Sequence, residues 1–332
     1  LGPDNRIQYN KQHGVATSAH GFDPAATSLD LTSEVSGNLV QGNGMHGIDI
    51  SASYWRVGRN QLRFNGWITG GTSGIHLFSR TDNAAGLDCD HNQVLYNHVQ
   101  AQRDRTAYDG NGIQVDHFCD GNLVAFNVAW GNDGAGLSVV AARGNVVAHN
   151  TLVGNAQDMN RANSPALRAE LILASWPDFC WNPYVDAASC QLPAGRTSDN
   201  LFINNILQAS QPGVPALWVN DDAVAPSRNR NRFGPNVYGH SAGGPVLRWG
   251  AYDARDARVA DQFMQGSADA AVALVEQAAF LDASNPMPPR HGLRLRAMPS
   301  RLGPGPLSSL PDAAGVLPLA GMSGWGAYYF GP

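Results

Sequence analysis

The chain has 332 residues and a net charge of −5, from 22 basic and 27 acidic side chains. That balance gives no cationic field to hold a nucleic-acid backbone, and the sequence has no run of about 18 apolar residues that could cross a bilayer. A single lysine (Lys11) and three glutamates (Glu34, Glu170, Glu276), beside 37 glycines and 20 prolines, leave few of the usual helix formers, so long surface helices are not expected.

Taken in chain order, the first element is also the repeating one. The pattern Asn-x-apolar-x-x-Asn occurs at Asn5/Asn10, Asn38/Asn43, Asn60/Asn65, Asn92/Asn97, Asn122/Asn127, Asn145/Asn150, Asn200/Asn205 and Asn231/Asn236. With the pairs taken as equivalent, successive offsets are 33, 22, 32, 30, 23, 55 and 31 residues. The shortest offsets give the bare unit, and the longest marks an insertion over 156–197. Between the pairs run short strands of alternating polarity: GVATS (14–18), GIDIS (47–51), GIHLF (74–78), GIQVD (112–116), GLSVV (136–140), ALWVN (216–220) and PVLRW (245–249). Such alternation gives each strand one inner and one outer face. A unit this short cannot bury its apolar face alone, but it can when stacked on its neighbours.

Asn tolerates left-handed backbone, and its amide can bond to the equivalent amide one coil away, so the repeated Asn are expected as corner ladders. The reading is all-β: a right-handed parallel β-helix of about eight coils with loop insertions, spanning 1–250. The segment 251–332 is then a capping segment and tail of the same domain, with a short helix within 261–280. Because Leu1 falls inside a coil, further residues or another element are expected to cover that end.

Cys89 and Cys119 each stand three residues before an Asn of adjacent coils (CDHN and CDGN). Coils stack about 4.8 Å apart, inside the Cα window of a disulfide. Cys180 and Cys190 form a second plausible pair within the insertion. Two pairs with none left over point to an oxidising compartment, hence a secreted or periplasmic protein; a stacked pair of buried thiols is the alternative at Cys89/Cys119.

If the strands stack in register, their outward residues form columns. The first column reads Ala16, Asp49, His76, Gln114, Ser138, Trp218; the second reads Ser18, Ser51, Phe78, Asp116, Val140, Asn220. Asp49, His76, Gln114 and Asp116 then become neighbours, with His117 beside them. The loops 80–90 and 101–112 bring Arg80, Asp82, Arg103, Tyr108 and Asp109 toward the same coils. The expected catalytic set is Asp49, His76, Arg80, Tyr108, Asp109, Asp116 and His117, with Gln114, Arg103, Arg168 and Trp218 binding substrate. Aspartates 82, 88, 90, 104, 109, 116, 120 and 133 crowd one stretch, and Asp82, Asp88 and Asp90 are the candidate ligands for Ca²⁺, which prefers oxygen donors. The alternative for each aspartate is a turn residue.

The closing segment HGLRLRAMPSRLGPGP…GWGAYYFGP is similar to the end of secreted bacterial right-handed β-helix proteins of the pectate-lyase-like superfamily, with Trp325 where Asp-Ile is usual. That resemblance implies a protein acting on polysaccharides as lyase, hydrolase or epimerase. His20-Gly21-Phe22-Asp23-Pro24-Ala25 resembles a mannuronan C5-epimerase motif at Gly21, Phe22, Asp23 and Pro24, with His20 and Ala25 in place of its Tyr and His. The strand GIDIS keeps Asp49 in the matching column but has His46 and Ser51 at the Tyr and His positions. Lyases that use a lysine base are disfavoured, since Lys11 is far from the cluster. The expected function is a lyase-type enzyme abstracting a proton beside a uronate carboxylate of a polysaccharide, with cations neutralising the enolate. The alternatives are a glycoside hydrolase using an Asp pair such as Asp109/Asp116 and a non-catalytic glycan-binding β-helix.

Overall fold

The computed structural model describes residues 1–17, 33–81, 89–105, 109–158, 168–175, 196–220, 230–234 and 236–255, with the strand backbones Ala273–Val275, Ser323–Trp325 and Tyr328–Phe330. Among these residues there is no helix, and so none long and apolar enough to cross a membrane. Three large sheets carry the fold, and within each the hydrogen-bonded neighbours are almost always every third strand of the chain. This is the arrangement of a parallel β-helix, in which each pass of the chain adds one rung to each sheet.

Sheet A stacks Arg6–Gln8, Leu39–Gln41, Gln61–Arg63, His98–Gln100, Val128–Trp130, Thr151–Val153, Ile206–Ala209, Asn236–His240 and Ala273–Val275. Sheet B stacks Val15–Ala16, Ile48–Ile50, Ser73–Leu77, Asn111–Val115, Leu137–Val140, Leu171–Ala174, Leu217–Val219 and Leu247–Trp249, closed by the antiparallel Tyr252–Ala254. Sheet C stacks Ser33–Ser36, Trp55–Gly58, Gln93–Leu95, Leu123–Ala125, Val146–Ala148, Leu201–Ile203 and Arg232–Phe233.

Period-2 alternation turns into apolar columns inside. On sheet B, Val15, Ile48, Ile75, Ile113, Leu137, Leu171, Leu217 and Leu247 lie in register. All but Val15 are fully buried, with Val40, Leu62 and Val99 from sheet A and Val57, Val94 and Val124 from sheet C in the same core. The glycine opening a sheet B strand reflects close approach: a Cβ at Gly47 would lie 2.6 Å from the Gly74 carbonyl and 2.8 Å from Leu62.

The Asn ladders exist, but in a different register from the one the pairs suggest. Asn5/Asn10, Asn38/Asn43 and Asn60/Asn65 flank sheet A strands, whereas the five later pairs flank sheet C strands. Three ladders result. One runs Asn5, Asn38, Asn60, Asn97, Asn127, Asn150, Asn205, Asn236. A second runs Asn10, Asn43, Asn65, Gln102, Asn132, Asn155, and a third runs Asn92, Asn122, Asn145, Asn200, Asn231. The spacing of five is one strand with its two corners, and either corner can carry Asn.

The left-handed residue is also not the ladder Asn but the one before it. Tyr9, Arg59, Phe64, Tyr96, Phe126 and His149 have φ between 53 and 61°. That conformation turns the following amide inward, where its bonds offset a backbone cost of roughly 1–2 kcal/mol per residue.

Two further expectations change. The segment 156–197 is not simply an insertion: Leu171–Ala174 inside it supplies a sheet B rung, paired with Leu137–Val140 and Leu217–Val219. It lacks the usual glycine because Glu170 stands there, and Glu170 accepts from the backbone N and Nδ2 of Asn155, ending the second ladder on a carboxylate. Burial raises this carboxyl to about 8, against the lowering effect of the Asn155 and Gly154 bonds. The helix expected within 261–280 is replaced at Ala273–Val275 by a strand that extends sheet A beyond 250, paired with Asn236–Tyr238. Cys89 and Cys119 are bridged, Cα to Cα 4.8 Å; Cys180 and Cys190 lie outside the described residues.

Candidate active site on the outer face of sheet B

Strand register places the first outward column as Ala16, Asp49, His76, Gln114, Ser138, Ile172, Trp218 and Arg248. The sequence-derived column is thus intact, with Ile172 added from the strand inside 156–197 and Arg248 from the Leu247–Trp249 strand. Asp49 and His76 are directly paired across neighbouring rungs, and His76 Nδ1 lies 2.9 Å from Asp49 Oδ1. Its other nitrogen, Nε2, lies 3.4 Å from Asp116 Oδ2.

Asp116 is the hub. Its Oδ1 lies 2.6 Å from His117 Nδ1 and accepts the His117 backbone N–H at 2.8 Å. Its Oδ2 accepts from Gln114 Nε2 at 3.0 Å. Gln114 is held in turn, its Oε1 accepting from Ser73 Oγ at 2.5 Å and from Asn111 Nδ2 at 3.0 Å. Asn111 Nδ2 also reaches Asp109 Oδ1 at 3.3 Å, so two side-chain amides link the Asp109/Asp116 pair.

The charge states follow from this geometry. Burial works to lower His76, but the hydrogen bonds to Asp116 and Asp49, with their charges, raise it to about 10. Asp49 would be raised by burial, yet the bond to His76 and the nearby imidazoles bring it down to about 2. Asp116 is likewise raised by burial and lowered far more by His117 and His76. At neutral pH the unit is an imidazolium braced between two carboxylates.

His46, noted in the sequence only for standing at the motif's Tyr position, was not in the expected catalytic set. It is buried, stacked on His76 with ring centroids 4.1 Å apart and planes 6° from parallel, and stacked on His13 from the other side at 5.2 Å. Its Nδ1 accepts from the Ser73 backbone N–H at 2.9 Å, which places the proton of the neutral ring on Nε2. Desolvation, then the charge of His76, holds it well below the usual imidazole range. The signal in the sequence was the position rather than the strand: His13 and His46 both directly precede the glycine that opens a sheet B strand.

The remaining expected residues divide. Arg80 is exposed, and the preceding Ser79 N–H donates to the His117 carbonyl at 3.1 Å, which sets Arg80 beside the His117 turn. Arg103 turns to the rim instead, paired with Asp133 at 2.7 Å and lying over the Trp67 ring. Trp218 keeps its column but packs against Ile172 and its apolar neighbours, with Arg248 over its ring at 5.5 Å. Arg168 is half-buried just before the Ile172 strand. Tyr108, Asp82 and Asp88 lie outside the described residues.

Asp90 is a turn residue: its Oδ1 accepts the Asp120 amide at 2.6 Å and its own amide donates to Ser53 Oγ. Calcium takes roughly six to eight oxygens, and the described donors do not assemble such a set. His46, Asp49 and His76 do bring ligand atoms within 4.8 Å of one another. Two nitrogens and one carboxylate suit a transition metal rather than calcium, but parallel stacked rings do not aim their in-plane lone pairs at one point.

No protein-family model matches the sequence, and no curated protein matches it. Among solved structures, the chain is similar to the A-module of the Azotobacter vinelandii mannuronan C-5 epimerase AlgE4, with TM-score 0.45 and 14% identity over 70% of this chain and 51% of that one. It is similar also to the A-module of the Azotobacter vinelandii mannuronan C-5 epimerase AlgE6, with TM-score 0.49 and 13% identity over 82% of this chain and 57% of that one. The chain spans about half the length of these structures.

Proposed function

We propose that this protein is a secreted polysaccharide-active enzyme, built as a right-handed solenoid of about eight coils, that abstracts the proton beside the carboxylate of a uronate residue. The observation that carries the reading is Asp116 gripping two imidazoles, those of His76 and His117. His117, its Nδ1 2.6 Å from Asp116, is the general base of this reading, and its Nε2, buried in the free protein, meets the C5 proton once substrate opens the turn that carries it. The His76 imidazolium acts through Asp49 and Asp116 as a positioning group, holding both carboxylates in place. Arg80, beside the same turn, supplies the cation that neutralises the uronate carboxylate as the enolate forms. The C5–H proton passes to His117, the electron pair forms the C4=C5 double bond, and the C4–O bond breaks with its electron pair going to the departing oxygen, which takes a proton from water to release the shortened chain as an alcohol.

The hydrolase alternative needs one carboxyl kept protonated near neutral pH. Asp116 is held ionised, as the base of an Asp109/Asp116 pair would be, so the products and not the charge state separate the two readings. The test is incubation with a panel of uronate glycans, followed by ultraviolet absorbance of unsaturated uronate and product mass spectrometry, with and without chelator. Absorbance is expected from wild type and not from His117→Ala. Reducing ends without absorbance would establish the hydrolase, and no product at all would leave the glycan-binding reading. Loss of product on chelation would revive calcium at Asp82, Asp88 and Asp90.

A further inference from the structure

Among the described residues six large hydrophobic side chains are exposed, and four of them occupy one corner: Tyr9 at 74%, Phe64 at 41%, Trp67 at 49% and Ile68 at 49%. The corner joins sheet A to sheet B in the first rungs. Its residues are brought together rung on rung, since Gly44 N donates to Asn10 O, Gly66 N to Asn43 O, Ile68 N to Gly44 O and Arg103 N to Asn65 O. The Tyr9 ring lies across Gly42, where a Cβ would come 2.8 Å from its ring carbons. Glycine there lets the tyrosine lie flat, with its other face open to solvent. Next to it Trp67 is capped by the Arg103 guanidinium at 5.8 Å, and Lys11, the sole lysine, is exposed on the same corner.

We propose that this corner is a second binding subsite, where Tyr9 and Trp67 stack on sugar rings and Lys11 meets their carboxylates, with Arg103, already paired with Asp133, backing the Trp67 ring. Apolar patches of this kind on a soluble protein mark interaction surfaces, and flat aromatics beside cations match the C–H face and acid group of a uronate. The corner is continuous with the chemical site: the segment after Lys11 enters the Val15–Ala16 strand, and the segment after Ile68 enters the strand that carries His76. A polymer seated there is therefore led toward Asp49 and His76. The inference rests on the uronate reading above and deepens it by adding a place for sugars remote from the reacting one.

The experiment is affinity electrophoresis through gels containing polygalacturonate, alginate or hyaluronan, with dextran as the neutral control. Wild type should be retarded by at least one of the anionic polymers, less so as salt is raised, and not by dextran. The Tyr9→Ala/Trp67→Ala double variant should bind about tenfold more weakly with an unchanged Tm, while Tyr252→Ala, an exposed aromatic on the last strand of sheet B, should be retarded like wild type. Equal retardation of the double variant, no retardation of wild type, or retardation by dextran would each overturn the proposal. Product formation with corner-independent binding would sink this inference and spare the functional reading; corner-dependent binding with no product from any glycan would do the reverse.

Discussion

From Asp49 to Asp116 the outer face of sheet B carries a charged, hydrogen-bonded cluster, whereas over the next two rungs the same face carries Val140, Ile172 and Ala174. These last are as buried as the interior, packed with Phe118, Ala135, Ala141 and Ala169 into a second apolar cluster. Strand direction, register and pleat are shared by both halves. What differs is only the residue type in the outward columns, and the border falls between Gln114 and Ser138 in one column and between Asp116 and Val140 in the other. The inner face has no such freedom, since each of its positions must fill a core shared by three sheets. An outward column can therefore pass from site to packing surface within a single rung.

The sharpest way to break this comparison is Asp116→Asn, which removes the charge that orients His117 and helps hold His76 protonated. Product formation should fall by about 10²–10⁴-fold, and unchanged turnover would move the chemistry away from this half. Ile172→Ala tests the other half. Emptying this buried site should cost about 2–5 kcal/mol in urea unfolding while turnover of the folded protein stays as in wild type. A loss of turnover at full stability would erase the division between the halves.

A third test is the pH dependence of stability. His76 is raised from 6.5 to about 10, so its contribution is complete below pH 6.5 and lost as pH climbs through 10. Asp49 is lowered from 3.8 to about 2, so its contribution is present above pH 3.8 and lost as pH falls through 2. Glu170, raised from 4.5 to about 8, adds a separate decline as pH rises across that interval. Unfolding free energies measured against pH for wild type and His76→Gln should therefore differ by a curve that is level from about pH 4 to 6.5 and falls on the alkaline side. Ile172→Ala should displace the wild-type curve without changing its shape.

Much of this is legible in the sequence because two signals are local. Period-2 alternation fixes which face a residue occupies, and the opening glycine fixes where the strand begins, so Asp49, His76 and Gln114 fall into one column on the residue pattern alone. Register between rungs is harder. Asn5/Asn10 and Asn92/Asn97 read alike, yet they flank different sheets, because every strand of the fold has corners that can take an inward amide. The Leu171–Ala174 rung is hidden by Glu170 in the place of glycine, and His46 by lying one residue outside the alternating segment. The hold of Asp116 on His117 comes from adjacent residues folded into one tight turn, where proximity in sequence does not reveal that the carboxylate turns back on its neighbour.

The ladders have one more consequence. Along each of them the earlier amide gives its hydrogens to the later one, as from Asn38 to Asn60 and onward to Asn97, so every layer offers a giving side and a receiving side. Layers of this kind can be spliced or excised whole, like links of equal polarity, and the 22-residue step from Asn38 to Asn60 is the natural cassette. A cut that took less than a whole layer, whatever that layer's length, would strand an amide in the interior. The architecture thus lets the molecule change its length by whole layers while its interior chemistry stays the same.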